Sequence, residues 1–89
     1  MEQTPQGWQR QGHRLVRDIV FDDYSKIVLA GVAVSLLAIW RDHHPRLVVD
    51  YHRLGIELWS HDVDDVTDRD RDLAQWINAM LPPTEGPRP

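Results

Sequence analysis

The sequence predicts an α+β domain of two layers: a four-stranded antiparallel sheet with helices on one face, in the chain order β-β-α-β-β-α. Three observations lead there. Leu15, Arg17, Ile19 and Phe21 alternate with Arg14, Val16, Asp18 and Val20 behind a break at Gly12, which reads as two short strands joined by a turn. The run from Ile27 to Trp40 has no charged residue and only Ser35 as a polar one; as one strand it would span roughly 46 Å, so length makes it a helix. After Thr67, the residues Leu73, Ala74, Trp76, Ile77, Met80 and Leu81 recur at helical spacing.

Local chemistry sets the ends of each element. Asp22-Asp23-Tyr24-Ser25 offers carboxylate and hydroxyl caps, so the first helix starts there. It ends by about Asp42, because Pro45 disfavours helical geometry at His44. Leu47 to Tyr51 and Gly55 to Ser60 read as two more strands, with His52-Arg53-Leu54 near their turn and Asp62 to Val66 as an acidic loop. Thr67 with Asp70 three residues later is a capping box with Asp in place of Glu, so the second helix runs from Asp68 to Met80. Pro82-Pro83 stop it. Residues 1–81 are therefore expected to form a single domain and 82–89 a disordered tail.

The Ile27 to Trp40 helix lacks the polar stripe of a helix lying on one sheet. It also falls short of the roughly 20 residues of a membrane span. A domain of 89 residues cannot cover both of its faces, so one is expected on the sheet and the other on a neighbouring subunit, giving a homodimer or homotetramer through this helix and the sheet. Gly31 and the alanines permit close approach. The net charge of -4, with Arg and Asp intermixed, provides no basic stripe for phosphates, which argues against direct nucleic-acid binding. The absence of cysteine excludes disulfides and thiolate chemistry and fits a reducing compartment. Met1 to Gly7 lack the charged-then-apolar order of a signal peptide, and a cytoplasmic location is expected.

Three histidines stand in a fixed frame: His43-His44-Pro45, then Tyr51, then His61-Asp62. Histidine titrates nearest neutrality, so convergence of these side chains on one pocket would suit proton transfer. Three imidazoles could also hold zinc, although neighbours such as His43 and His44 point apart in extended chain. They could equally be ordinary polar residues at element ends. The residues alone leave these three readings open, with a metal site the least favoured.

The frame as a whole resembles the signature of the pterin-4a-carbinolamine dehydratase family. Gly7-Trp8, Phe21-Asp22-Asp23-Tyr24 and Thr67-Asp68-Arg69-Asp70 with Leu73-Ala74 are similar to the family's opening, helix entry and closing motifs. The resemblance covers most of residues 7–81. It implies dehydration of 4a-hydroxytetrahydropterin to quinonoid dihydropterin and water by histidine acid-base catalysis, with pterin as substrate and no cofactor or metal. It further implies His43 as base, His61 as acid at the leaving hydroxyl, and His44 holding or protonating the substrate. Trp8 would wall the pocket, Pro45 would line it, and Asp42 and Asp62 would orient the imidazoles. A noncatalytic relative that keeps the scaffold as an oligomeric binding or assembly module, of the coactivator or Rubisco assembly factor type, is the alternative.

The chain also departs from the pattern. Ile39 stands four residues before His43 where the family usually has a charged residue, and Val63-Asp64-Asp65 replaces a small residue and two glycines. Asp64 and Asp65 are less suited than glycine to any positive φ there. Trp59 occupies a strand position where small hydroxyl residues are usual.

Overall fold

A computed structural model describes residues 3–83. The element order is β1 (Gln9–Gln11), β2 (Arg14–Val20), α1 (Tyr24–Arg41), β3 (Arg46–Val49), β4 (Arg53–Leu58) and α2 (Asp68–Met80). The four strands form one sheet in the order β1-β2-β4-β3, every neighbouring pair antiparallel. This is the expected α+β arrangement. Gly12 turns the first hairpin at φ +61, where a side chain would be strained. Gly7 (φ +83) allows a close approach: a Cβ there would meet Pro83 Cβ at 2.8 Å.

The helix ends follow their capping signals. Asp23 caps α1 by accepting from the backbone N–H of Ser25 at 2.8 Å. Thr67 caps α2 with both halves of the capping box formed, and α2 has the span expected of it. The second hairpin differs in register from the expectation. β3 stops at Val49 and β4 already starts at Arg53, so Tyr51 lies in the turn and is 81 % exposed. Asp50 makes that turn: its carboxylate takes the N–H of Tyr51 at 2.8 Å, and its own N–H bonds Arg53 O at 2.9 Å. At the other end the regular ladder closes at Leu58, opposite Leu15, leaving Trp59 and Ser60 beyond it. Of the tail expected over residues 82–89, Pro82 and Pro83 are described, with Pro83 close to Gly7, and residues 84–89 lie outside the described residues.

The core sits between sheet and helices. Leu15, Leu54, Ile56 and Leu58 from the strands meet Ile27, Ala30 and Val34 of α1 and Leu73, Ala74 and Ile77 of α2. α1 is long and apolar enough, by length and composition, to cross a membrane. Its buried stripe of Ile27, Ala30, Val34 and Ala38 makes it the core helix of this domain. The opposite face leaves Val28, Leu29, Val32, Leu36, Ile39 and Trp40 exposed. At the helix junction Trp40 meets Trp76 edge-on, with ring centroids 5.9 Å apart, and Arg41 pairs with Asp72.

Candidate active site

The end of α1, the chain beyond β4 and the start of α2 come together around an open cavity of about 670 Å³. Its lining includes Asp42, His43, His44, Pro45, His61 and Asp62. Asp42 makes this possible by leaving the helix in the left-handed conformation, φ 52, while its N–H still bonds the carbonyls of Ala38 and Ile39. The chain then turns into His43, whose N–H donates to Ala38 O at 3.0 Å. Pro45 disfavours helical geometry at His44, and β3 begins at Arg46.

His43 is held from α2. Its Nε2 lies 2.5 Å from Oδ1 of Asp70, a carboxylate with no solvent exposure, while the imidazole itself is 12 % exposed. The other carboxylate oxygen, Oδ2, accepts from Ser60 Oγ at 2.8 Å and from the Thr67 N–H at 2.9 Å. Thr67 Oγ1 lies 2.7 Å from Ser60 Oγ and accepts the Arg69 N–H at 3.2 Å. Since Ser60 donates to Asp70, the Thr67 hydroxyl donates to Ser60, and each member of the network is satisfied. An ionised Asp70 can only accept, so it fixes the His43 proton on Nε2 and leaves Nδ1 with its lone pair. That is the tautomer a general base needs.

His61 is held differently. Among the described residues it has no hydrogen-bond or ion partner, and its ring stacks on Trp59 with centroids 4.4 Å apart and planes 25° apart. The Arg14 guanidinium lies over the same indole, 4.1 Å from its centroid. Arg14 is tethered to Glu57 at 3.0 Å, and Glu57 also takes Arg46 at 2.6 Å. Asp62 pairs with Arg69 at 2.6 Å, and that hydrogen bond is the main reason its carboxyl titrates below the ordinary aspartate range. Arg46, Trp59 and Arg69 complete the cavity wall.

The expected site residues are thus mostly gathered, with two corrections. Trp8 does not line the cavity: it is 5 % exposed in the core, and its indole N–H donates to Asn78 Oδ1 at 2.9 Å. Neither Asp42 nor Asp62 orients an imidazole; Asp42 is the αL cap of α1, Asp62 is engaged by Arg69, and Asp70 supplies the hydrogen bond to His43. Of the two loop aspartates, Asp64 adopts positive φ, 51°, and Asp65 does not. Asp70 was legible as more than a cap. It lies three, four and seven residues before Leu73, Ala74 and Ile77, on the buried stripe of α2, and a buried carboxylate requires a partner. Among the described residues, no group of three His, Asp or Glu side chains is placed to hold a metal ion.

A two-layer domain that gathers histidines from two distant chain segments into one cavity, one of them fixed by a buried aspartate, is a small α+β protein with a histidine-lined site. Comparison with known proteins gives the family: the model for pterin 4 alpha carbinolamine dehydratase matches residues 1–80, and the chain belongs to that family. A relative from Synechococcus sp. (strain WH7803), provisionally named a pterin-4-alpha-carbinolamine dehydratase, is 38% identical over 73 residues, 82% of this chain and 78% of the relative. One from Natronomonas pharaonis, named in the same way, is 33% identical over 78 residues, 88% of this chain and 85% of its own. Among solved structures, a transcriptional coactivator/pterin dehydratase from Brucella melitensis superposes with a TM-score of 0.77 at 30% identity, covering 84% of this chain and 82% of that one. A pterin dehydratase-like protein described as a RuBisCO assembly factor in the alpha-carboxysome shares the fold, with a TM-score of 0.73 at 17% identity over 94% of this chain and 100% of that one.

Proposed function

We propose that this chain dehydrates 4a-hydroxytetrahydropterin to quinonoid dihydropterin and water, a pterin-recycling step. The observation that carries the reading is the cavity bounded by His43, whose Nε2 is hydrogen-bonded to buried Asp70, and by His61, free of hydrogen bonds among the described residues. In the reaction His43 Nδ1 removes the proton of the ring nitrogen next to the carbinol carbon. That N–H pair becomes the C=N double bond, the C–O bond breaks, and His61 donates a proton so that hydroxide leaves as water. Electrons balance without an oxidant, so no resident cofactor or metal is required. His44, exposed on the rim, contributes to holding the substrate.

The test compares 4a-hydroxypterin dehydration by the purified protein with His43→Ala and His61→Ala. Each variant should lose about a hundredfold or more. A wild-type rate no faster than the variants would sink the enzyme reading. The exposed apolar face of α1, with Leu29 and with Val28, Val32 and Leu36 beside the edge strand β3, supports a second part of the proposal: the chain works as a homo-oligomer joined through this helix and the sheet. The same face favours the alternative, a noncatalytic assembly module, which predicts oligomerisation without dehydration.

A further inference from the structure

The two histidines differ in what holds them. His43 is fixed by a hydrogen bond to Asp70, whereas His61, an exposed side chain, makes one ring contact among the described residues, with Trp59. We propose that Trp59 is the positioning residue of His61, and that Arg14 and Glu57 hold Trp59 in place for that purpose. An imidazole at a strand end with no hydrogen bond would sample several rotamers, and a proton donor must be oriented before it can act. The indole supplies one flat surface at 4.4 Å and 25°, which leaves both ring nitrogens of His61 free.

The indole is itself braced. Register puts Arg14 across the sheet from Trp59, since Leu15 pairs with Leu58 one step inward. Its guanidinium sits 4.1 Å from the indole centroid and is tied to Glu57, which Arg46 ties from the other side. The result is a continuous chain, Arg46 to Glu57 to Arg14 to Trp59 to His61, running across the open face of the sheet into the cavity. Trp59 is partly exposed and stands outside the core cluster, so its replacement leaves the packing of the domain intact.

The inference deepens the dehydratase reading and rests on it for its kinetic half alone. Proton NMR of the full chain reads the geometry directly. In the wild type the His61 ring protons should lie upfield of those of exposed His13 and His52, because they sit over an aromatic face. Trp59→Phe should keep most of that shift, and Trp59→Ser should abolish it while His43 resonances stay in place. His61 resonances that match His13 and His52 in the wild type, or that do not move in Trp59→Ser, overturn the proposal whatever the protein catalyses. In the dehydration assay, Trp59→Ser should lower kcat about ten- to a hundredfold with little change in KM, and Trp59→Phe should restore most of it. Lost ring shift with unchanged kcat overturns the positioning role. A wild type without activity sinks the dehydratase reading, and the ring-shift measurement still decides whether Trp59 orients His61.

Discussion

Replacing Asp70 with Asn should separate the chemistry of the site from its architecture. The substitution preserves volume at a position with no solvent exposure, so it makes no cavity. It does change the donor and acceptor count. The carboxylate accepts three hydrogen bonds, two at Oδ2 from Ser60 and Thr67 and one at Oδ1 from His43. An amide has one carbonyl oxygen, and the side with two donors claims it. The amide NH2 then faces His43 Nε2, and two donors cannot meet. The imidazole escapes by moving its proton to Nδ1, which converts the free nitrogen from acceptor to donor.

The magnitudes follow. Exchanging a charged for a neutral acceptor weakens each of the two remaining bonds by about 1 kcal/mol, so stability should fall by about 2 kcal/mol, roughly 10 °C in Tm. The loss of the base tautomer should lower kcat by about 10² to 10⁴, far more than so modest a loss of stability accounts for. Dehydration kinetics, thermal unfolding and nitrogen-15 shifts of His43 measure the three effects. A variant that dehydrates at nearly the wild-type rate while Nδ1 carries the proton would refute the assignment of His43 as base. Nε2 still protonated in the variant would refute the tautomer argument itself.

Three further outcomes are expected. Asp42→Gly should raise stability by about 1 kcal/mol in urea unfolding, since it relieves a left-handed non-glycine residue at φ 52 and removes an anion from a helix C-terminus; unchanged or lower stability would contradict this. The carboxyls of Asp62 and Asp65 are held below the ordinary aspartate range, Asp62 chiefly by its hydrogen bond from Arg69 and Asp65 chiefly by the Val66 N–H, then by His13. Because the folded pKa lies below the unfolded one, their contribution is complete above the unfolded value of about 4 and disappears as pH falls through the folded values. The urea midpoint should therefore decline below about pH 4, and less steeply in Asp62→Asn/Asp65→Asn; identical acid slopes would count against these pairings. Finally, sedimentation at micromolar concentration should show an oligomer that Leu36→Glu, at a position 61 % exposed on α1, disperses; a persistent 10.4 kDa wild-type monomer would contradict the interface.

What the sequence disclosed and what it concealed divide along the range of the interactions. Both helix starts were legible because Asp23 with Ser25, and Thr67 with Asp70, are capping contacts between near neighbours. The second hairpin slipped because Tyr51 has strand propensity on paper, while Asp50, one residue earlier, makes the turn. The histidines were legible as a group. Their supports were less so, since Asp70 reaches His43 across 27 positions, and Arg14 reaches Trp59 through strand pairing. Trp8 misled because its role as a pocket wall came from the resemblance alone, whereas an indole whose N–H finds Asn78 on α2 is better placed in the core.

Asp70 ties the stability of the domain to the competence of the site. The carboxylate that closes the α2 capping box also fixes the His43 tautomer. If the first turn of α2 frays, the Thr67 and Ser60 donors separate from Asp70, and the His43 anchor goes with them. A base needs that rigidity, because an imidazole in the wrong tautomer cannot accept the proton. An acid that must regain its proton from water in every turnover has the opposite requirement. It should be wet and lightly held, and His61, exposed and stacked on a braced indole, meets that description. The difference between the two supports therefore matches the difference between the two proposed roles, and exchanging those roles would put the base at His61, where no carboxylate fixes the tautomer.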